Sequence, residues 1–599
     1  MFHYQYSGMN PFKLKYMSGK AFALWLAVIC IVVQIPPLFM GVELCDSGFY
    51  LTFYDNIYSH PECVEYNFMY YLSGLTGGAL LKIMHTALGM RIVGAAVNVL
   101  CALCLAAAFP ARRFRSAVAG SSLLMIVGSW WLPLTFSYDH LTSLLTCVGL
   151  LLIMRSVTAR NRTGAICLAL ASGLVLGMNT FARIPNVLGF AYILLIPIGA
   201  AIYRRKHMWQ SVAASFAAGW IAGVALVLAA MLALNHFSIF ASNMSDLFGI
   251  ASSADGEASH GISHLIRAQI DSYLITGRVA AKLLAIGIML WCTYKFVPHS
   301  RLIRSTAWII AFCGMGYLVA RTGSTYLLDA LFLVGSIGSI ISGSQRMRLA
   351  GWAGLAMLLI FPLGSDNGIS NNGPAAMWMA GVPALVFYTR FLQRRTHLSL
   401  RHASLAVAVV VLLVLANCCR LAVRSGLYFD ATAPADCTMQ LKSPLMRCIL
   451  ISPERAHIID ATADGVQTIA PAGSEVLIYG SAPMLHYLTS TRPVLGNSWP
   501  EQLSTESLLR KLDLHLNGAP VIILKYNTIG NDFGTPSEAF MLGTEAETAN
   551  IYHNAEKSGA LLSYLHSKGY KCTKATALYN VYELPPSPAG ALSQCAAGS

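Results

Sequence analysis

The stretch AFALWLAVICIVVQIPPLFM (residues 21–40) decides the fold class of this chain. It contains no Asp, Glu, Lys or Arg, and about 20 apolar residues are enough to cross the hydrocarbon core of a bilayer. No small-residue cleavage site follows the run, so the pattern predicts a transmembrane helix and not a secretory signal peptide. Only 11% of the 599 residues are charged, whereas soluble domains carry about 25%. The composition therefore indicates lipid as the main solvent.

Twelve further apolar runs follow, and together with the first they predict about 13 transmembrane helices in residues 1–424. The predicted fold class is a polytopic α-helical membrane protein with a C-terminal soluble α/β domain at residues 425–599. The further runs lie at 88–109, 117–134, 141–154, 164–179, 187–203, 211–234, 276–294, 305–320, 325–342, 350–364, 375–391 and 403–419.

The α/β prediction for the tail rests on short apolar runs that end in turn residues. EVLIYG (475–480) and PVIILKY (520–526) predict buried strands, and TALYNVYEL (576–584) predicts an alternating strand. APMLHYLTS (482–490) and NAEKSGALLSYLHSKGY (554–570) predict helices, the second with apolar spacing near 3.6 residues.

The distribution of charge predicts the topology and argues against nucleic-acid binding. Residues 1–420 hold 29 Lys and Arg against 12 Asp and Glu, whereas residues 421–599 hold 12 against 15. The net charge of +14 therefore belongs to the membrane part, where basic loops mark the cytoplasmic side. Seven alternate loops are basic and contain no acid, which predicts a cytoplasmic N-terminus and an extracytoplasmic C-terminal domain. A bacterial inner membrane fits this arrangement best.

The first outer loop, residues 41–75, contains the best candidate for chemistry. Its sequence GVELCDSGFYLTFYDN (41–56) places Asp46 directly after the first helix and among aromatic residues such as Tyr50. One interpretation is a helix N-cap or a hydrated loop acid. The other is a general base, because a carboxylate that is partly shielded from water can accept a proton from a hydroxyl.

At this point the sequence resembles the GT-C superfamily of membrane glycosyltransferases, which includes lipid A aminoarabinose transferases and protein O-mannosyltransferases. DSGFY (46–50) resembles the Asp-x-Gly-x-Tyr-like element after helix 1, and GSAPMLHYLTSTRPVL (480–495) resembles a second recurring segment. The number of helices, the long first outer loop and the outward C-terminal domain extend the resemblance over nearly the whole chain. The chain departs from the pattern at VEYNFMYYL (64–72), where members often have a Pro-Pro motif.

The resemblance implies an inverting transfer of a sugar from a polyprenyl-phosphate donor to an envelope lipid, glycan or protein acceptor. Asp46 would deprotonate the acceptor hydroxyl, and Asp139 in SYDHLTSLL (137–145) would position the acceptor or bind a divalent cation, Mg²⁺ or Mn²⁺. From the residues alone, a plain N-cap role for Ser137 or Asp139 at the start of a helix is as open as the functional role of Asp139. His140 is expected at the surface.

The leaving phosphate needs positive charge, and cations are scarce on the outer side of the predicted membrane part. Arg183 in NTFARIPN (179–186) is the first candidate, because Arg matches phosphate in a bidentate manner. The polar segment GSDNGISNNG (364–373) predicts either a plain turn or a set of hydrogen-bonding partners for a sugar. The remaining candidates for substrate binding are Arg321, Lys82, Tyr50, Asp366 and Asn367.

Two other functions compete with the glycosyltransferase. A flippase or transporter of polyprenyl-linked glycans would show charges inside the membrane or broken helices. An envelope polysaccharide polymerase or ligase would share the long outer loops and the lipid-linked substrate. The cysteine pairs Cys45/Cys63 and Cys437/Cys448 stay open as disulfides or free thiols, since spacing alone does not fix their geometry.

Overall fold

The computed structural model describes residues 17–204, 209–252, 262–297, 299–365, 367–396, 398–428, 430, 432–536 and 555–585. Helices make up most of residues 17–425, and the sheets lie between residues 439 and 583. The chain is therefore a multi-pass helical membrane protein with a mixed α/β region at its C-terminal end.

The helices of the membrane part are numbered in chain order. They are α1 Gly19–Val32, α2 Ile35–Phe39, α3 Asp46–Asn56, α4 Tyr71–Met84, α5 Ala87–Ala108, α6 Arg115–Gly128, α7 Tyr138–Thr158, α8 Arg162–Asn179, α9 Leu195–Ile202, α10 Trp209–Ala233, α11 Phe237–Ser252, α12 Ile262–Phe296, α13 Arg301–Arg321, α14 Ser324–Ser342, α15 Gln345–Ile360, α16 Ile369–Asn372, α17 Trp378–Arg395 and α18 Leu400–Ser425. Short 3₁₀ helices at Pro61–Tyr70, Ile184–Leu194 and Gly373–Met377 lead into α4, α9 and α17.

Each of the thirteen predicted runs coincides with a helix, but the number thirteen itself is not confirmed. Within the described residues, ten helical segments have at least 18 residues and enough apolar character to cross a membrane. Three others, α1, α6 and α15, have 14, 14 and 16 residues. At 1.5 Å per residue they extend about 21–24 Å, less than the hydrocarbon thickness of about 30 Å.

Close packing of α8 against α10 illustrates how the bundle is held together. A Cβ at Gly173 would lie 2.0 Å from the carbonyl oxygen of Phe216, and one at Gly219 would lie 2.1 Å from that of Leu170. Small residues four apart let two helix backbones approach closely, which is a main source of helix association in lipid. The spacing repeats at Gly177 on α8 and Gly223 on α10, where added Cβ atoms would meet backbone at 2.2 Å.

The segment predicted as the first outer loop is mostly helical, so Asp46 does not lie in a hydrated loop, which was one interpretation of the sequence. The run 21–40 ends as a continuous helix at Val32, and the short α2 then begins with prolines at its first positions. After that, α3 and the 3₁₀ helix Pro61–Tyr70 fill the segment up to α4. Nearly every residue of α3 is buried, since its aromatic side chains pack against the surrounding helices and against the C-terminal region.

The C-terminal region contains a mixed five-stranded sheet, whose strands lie in the order β4 (Arg492–Pro493), β3 (Glu475–Tyr479), β5 (Val521–Leu524), β7 (Tyr579–Glu583) and β6 (Lys571–Ala575). β3 runs parallel to β4 and β5, and β7 runs antiparallel to β5 and β6. The predicted strands at 475–480, 520–526 and 576–584 correspond to β3, β5 and β7. The elements are β1 Met439–Gln440, β2 Leu450–Ile451, α19 Pro453–Ile469, β3 Glu475–Tyr479, α20 Met484–Thr489, β4 Arg492–Pro493, α21 Thr505–His515, β5 Val521–Leu524, α22 Ala555–Ser567, β6 Lys571–Ala575 and β7 Tyr579–Glu583.

The two cysteine pairs left open by the sequence are free thiols in the structure. Cys45 and Cys63 are both buried, and no bond joins them. Cys437 is buried and Cys448 is exposed, and no bond joins these two either. The thiol of Cys45 instead donates to the carbonyl oxygen of Ser481 at 2.8 Å.

Candidate active site

Asp46 is the first residue of α3, and the carboxylate of Glu43 fixes the turn that precedes it. Glu43 accepts hydrogen bonds from the backbone N–H groups of Cys45, Asp46 and Ser47, each at 2.6 Å. Helix N-termini carry unsatisfied N–H groups and positive potential, so a carboxylate is stabilised there. Glu43 is 6% exposed. Burial raises its pKa, and the hydrogen bonds from the three amides act in the opposite direction.

The C-terminal region packs directly on α3. The N–H of Met484 donates to the carbonyl oxygen of Leu44 at 3.0 Å. The hydroxyl of Thr52 donates to the carbonyl oxygen of Pro483 at 3.1 Å. Together with the bond between Cys45 and Ser481, these contacts join the segment 480–495 to the helix that Asp46 begins. The two segments on which the sequence resemblance rests therefore touch each other.

Gly48 makes this close approach feasible. An added Cβ at this position would lie 2.0 Å from the backbone nitrogen of Met484 and 2.4 Å from its Cα. No side chain fits in that space, because both atoms belong to the backbone of α20. The glycine of DSGFY is thus needed for packing of α20 on α3.

The second carboxylate, Asp139, lies in the first turn of α7, two residues after the N-cap residue Ser137. Its Oδ1 accepts a hydrogen bond from the side-chain amide of Asn372 at 2.9 Å. The same oxygen lies 3.8 Å from Nη1 of Arg183. Asp139 is half-buried, and its two buried partners join it to two other parts of the chain.

Arg183 is next to Asp139 and is buried among backbone carbonyl groups. It is 4% exposed, and its Nη2 donates to the carbonyl oxygens of Phe361, at 2.7 Å, and Leu363. It is not among the residues that line the cavity described next. Its guanidinium is thus engaged by carbonyl groups and by Asp139. Its role in phosphate binding stays a prediction.

Asp46 and Asp139 line one cavity of about 60 Å³. The hydroxyl of Tyr54, on α3, donates to the carbonyl oxygen of Phe136 at 3.0 Å, and this bond ties α3 to the segment that leads into α7. Two carboxylates from separate parts of the chain are thereby brought to the same space. The other polar side chains that line it are Gln34, Tyr50, Asn98, Ser129, Trp130, Ser137, Tyr138, His140, Ser143 and Trp378.

Aromatic rings form one wall of this cavity. The ring of Tyr138 stacks on Tyr70 with centroids 4.2 Å apart and meets the edge of Tyr50 at 5.5 Å. Tyr50 is almost fully buried, and burial raises the pKa of its hydroxyl. The wall can therefore offer neutral hydroxyl groups and ring faces to a sugar, in surroundings that strengthen electrostatic interactions.

Other predicted substrate-binding residues lie elsewhere. The ammonium of Lys82 stacks on the ring of Tyr58 at 4.4 Å and is exposed, as is Arg321 at the end of α13. Asn367 is exposed and does not line the cavity. Asp366 lies outside the described residues.

Several residues of the site were not recognised in the sequence. His140, expected at the surface, lines the cavity, and its Nδ1 lies 2.9 Å from the hydroxyl oxygen of Ser137. Gln34 and Asn98 are bonded to each other at 2.9 Å, and their polar character inside apolar runs was an available signal. The capping role of Glu43 could also have been suspected, because an acid directly before a helix start often caps it.

The described residues contain no group of three or more His, Cys, Asp or Glu side chains that could hold a metal ion. Two carboxylates face the cavity, and one of them already accepts an amide and lies beside a guanidinium. Divalent cations such as Mg²⁺ prefer sites rich in carboxylate and water oxygens. The donor set of Asp139 fits a hydrogen-bonded ion pair better than the metal site suggested by the sequence.

The fold and the site together define a class: a multi-pass membrane protein with two carboxylates in a cavity next to its C-terminal α/β region. No family model and no curated protein matches the chain.

Two solved structures are similar to it in overall architecture. One is ArnT from Cupriavidus metallidurans bound to undecaprenyl phosphate, with a TM-score of 0.47 and 10% identity, covering 94% of this chain and 98% of that one. The other is the Archaeoglobus fulgidus oligosaccharyltransferase in complex with zinc and sulfate, with a TM-score of 0.41 and 12% identity, covering 83% and 68%. At this level of similarity, the match assigns neither substrate nor reaction to this chain.

Proposed function

We propose that this protein is a glycosyltransferase that moves a sugar from a polyprenyl-phosphate donor to an envelope lipid, glycan or protein on the extracytoplasmic face. The observation that carries the proposal is the convergence of Asp46 and Asp139 on one cavity with an aromatic wall. A pair of acidic groups in a partly dehydrated cavity suits proton abstraction from a hydroxyl.

In the proposed reaction Asp46 acts as the general base. Its carboxylate takes the proton of the acceptor hydroxyl while the acceptor oxygen forms a bond to the anomeric carbon. The bond between that carbon and the phosphate oxygen breaks on the opposite face, and the lipid phosphate leaves with the electron pair. The configuration at the anomeric carbon is inverted. Glu43 holds the backbone of Asp46 in place, so the base is oriented before the substrate arrives.

Asp139 is proposed to orient the acceptor, with Arg183 and Asn372 keeping its carboxylate in place.

The leaving phosphate needs a cation of its own. Of the three predicted cations, Lys82 and Arg321 have exposed side chains that a lipid headgroup could reach, whereas Arg183 is engaged by carbonyl oxygens. None of the three lines the Asp46 cavity, and all three stay candidates for the phosphate. Dependence on Mg²⁺ or Mn²⁺ stays a prediction, tested by EDTA treatment and metal re-addition.

The proposed setting is a bacterial inner membrane with a cytoplasmic N-terminus and an extracytoplasmic C-terminal domain at residues 425–599. The absence of acids from seven alternate basic loops supports this topology. A cysteine-labelling experiment on exposed positions of the tail would test it directly. Reaction of Cys448, which is exposed, with a membrane-impermeant reagent in intact spheroplasts is the expected result.

A transporter or flippase of polyprenyl-linked glycans is the second candidate, and one observation favours it. Asp329 lies within α14, is 4% exposed and accepts a hydrogen bond from the hydroxyl of Thr276 at 2.8 Å. Buried acids inside membrane spans often mark transport paths. Asp46 and Asp139, however, share one cavity with an aromatic wall. A reaction on one face of the membrane accounts for this grouping better than a transport path across it. A polysaccharide polymerase or ligase differs from the first proposal only in its substrates.

The deciding experiment compares wild type with Asp46→Asn in reconstituted vesicles supplied with radiolabelled polyprenyl-phosphate sugars and a membrane extract. Transfer of label to an acceptor by wild type and its loss in Asp46→Asn are expected. Asp55→Asn is the matched control, since Asp55 lies on the same helix but is exposed. Normal transfer by Asp46→Asn would remove Asp46 as the base. Labelled lipid that crosses the bilayer without chemical change would support the flippase instead.

A further inference from the structure

A second and larger cavity, of about 410 Å³, lies among helices α6, α12, α13, α14, α17 and α18. Its walls are almost entirely apolar, with Leu283, Leu331, Phe387 and Val410 among the lining residues. It shares no lining residue with the Asp46 cavity. Trp378 at one end of α17 lines the Asp46 cavity, and Arg395 at the other end lines this one. Seventeen residues of helix, about 25 Å, separate Trp378 from Arg395, whereas on α6 the two cavities are lined by Leu124 and Ile126, which are two positions apart.

Cations and aromatic rings frame one end of the larger cavity. The ammonium of Lys295 lies 4.9 Å from the ring centroid of Trp291, and the guanidinium of Arg395 lies 5.9 Å from the same ring. On the neighbouring helix α13, Trp308 donates its ring N–H to the hydroxyl of Tyr294 at 3.0 Å. The guanidinium of Arg304 lies 5.5 Å from the centroid of the Tyr294 ring.

The positive charge at this end is not balanced by nearby acids in the sequence. The connections that contain these cations, residues 295–304 and 390–401, have no Asp or Glu. Trp and Tyr are enriched at the level of lipid headgroups, so the rings mark this end as a membrane interface. Basic pockets between transmembrane helices on the cytoplasmic side commonly bind anionic headgroups.

We propose that this cavity binds one anionic glycerophospholipid, with an acyl chain between the helices and its phosphate held by Lys295, Arg304 and Arg395. The apolar lining accepts a hydrocarbon chain and gives no partner to a sugar or a peptide. The cations select a negative headgroup over a zwitterionic one. This site is separate from the proposed glycosyltransferase reaction and does not depend on it.

The test measures lipid binding to the purified full-length protein by native mass spectrometry, with phosphatidylglycerol and phosphatidylcholine as probes. Wild type is expected to retain phosphatidylglycerol preferentially. The double variant Lys295→Gln/Arg395→Gln should bind phosphatidylglycerol about thirtyfold more weakly. Each basic residue near an anionic headgroup strengthens binding about five- to sixfold, and the variant removes two of them. Binding of phosphatidylcholine should not change.

The matched control is Arg162→Gln/Arg348→Gln, which removes the same charge from two exposed residues that lie outside the cavity and outside the two basic connections. This control should bind phosphatidylglycerol like wild type. Gly287→Leu, which places a side chain inside the cavity, should reduce binding of both lipids without lowering the melting temperature. Equal losses in the control and the test variant would overturn the proposal. Displacement of phosphatidylglycerol by equimolar polyprenyl phosphate would also overturn it, since the cavity would then belong to the donor.

Discussion

Gly48→Ala is predicted to separate the C-terminal region from α3, although Ala is the better helix former. The new Cβ would lie 2.0 Å from the backbone nitrogen of Met484, whereas ordinary van der Waals contact begins at 3.4 Å. The difference requires α20 to move away by roughly 1.4 Å. Neighbouring side chains cannot absorb that movement, because the clashing atoms belong to the backbone.

The magnitude follows from the contacts that hold α20 to the first outer loop. Three hydrogen bonds of 2.8, 3.0 and 3.1 Å would be stretched past the useful range, at Cys45–Ser481, Leu44–Met484 and Thr52–Pro483. Each contributes about 0.5–1.5 kcal/mol net, so their loss costs about 1.5–4.5 kcal/mol. The helix propensity of Ala over Gly returns about 1 kcal/mol. A net destabilisation of about 0.5–3.5 kcal/mol is expected.

Asp46 lies two residues from the substitution, and activity should fall as well. A misplacement of about 1 Å at a reacting group can reduce turnover about 100-fold. The assays are the apparent melting temperature of the purified protein in detergent and the rate of sugar transfer in vesicles. Gly559→Ala is the matched control, because Gly559 lies on helix α22 with no atom within 4 Å of an added Cβ. The control should be neutral or slightly stabilising.

Wild-type melting temperature and wild-type transfer in Gly48→Ala would refute the reasoning about this contact. A lower melting temperature with unchanged transfer would show that the contact between α3 and α20 stabilises the protein but does not affect the function of Asp46. Loss of both in Gly559→Ala would show that glycine replacement in itself, and not this contact, is harmful.

Three further outcomes are expected. Glu43→Gln should lower turnover more than it raises KM, because Gln offers one acceptor oxygen and presents an amide N–H to Ser47; unchanged turnover would remove its positioning role. Arg183→Ala should destabilise the protein by about 1–3 kcal/mol, because the carbonyl oxygens of Phe361 and Leu363 lose their buried donor. A folded variant with weakened binding of titrated donor would support the phosphate role predicted from the sequence. Burial lowers the pKa of His486 to about 3, so the unfolded chain binds the extra proton below about pH 6.5. Stability should therefore fall by about 1.4 kcal/mol per unit from about pH 6 towards pH 3, and His486→Asn should flatten this part of a melting-temperature profile; an unchanged slope would contradict the assignment.

Local patterns were sufficient for the helices and for most strands. A run such as residues 211–234 shows its helix directly, since every backbone group in lipid must be bonded within the segment. The buried strands at 475–480 and 520–526 were equally visible as short apolar runs ending at turns. Helix length was less predictable: the run 117–134 gave a helix that ends at Gly128, because the chain then turns to bring Trp130 and Leu134 to the cavity.

The candidate site was predicted in part. Asp46, Tyr50 and Asp139 were named from the sequence, and the structure places all three around one cavity. Their catalytic roles stay predictions. The partners that orient them were not foreseen, since Asn372 is 233 positions from Asp139 and no local pattern relates the two.

The sequence by itself determined the membrane class, the α/β character of the tail and the loop that contains Asp46, because hydropathy, charge and turn residues act over short distances. Only the tertiary structure decided which groups meet. It packed the segment 480–495 on α3, turned Arg183 towards the carbonyl oxygens of Phe361 and Leu363, and placed the carboxylate of Glu43 on the amides before α3. Such contacts depend on how helices pack across hundreds of residues, and packing follows from the shape of the whole chain.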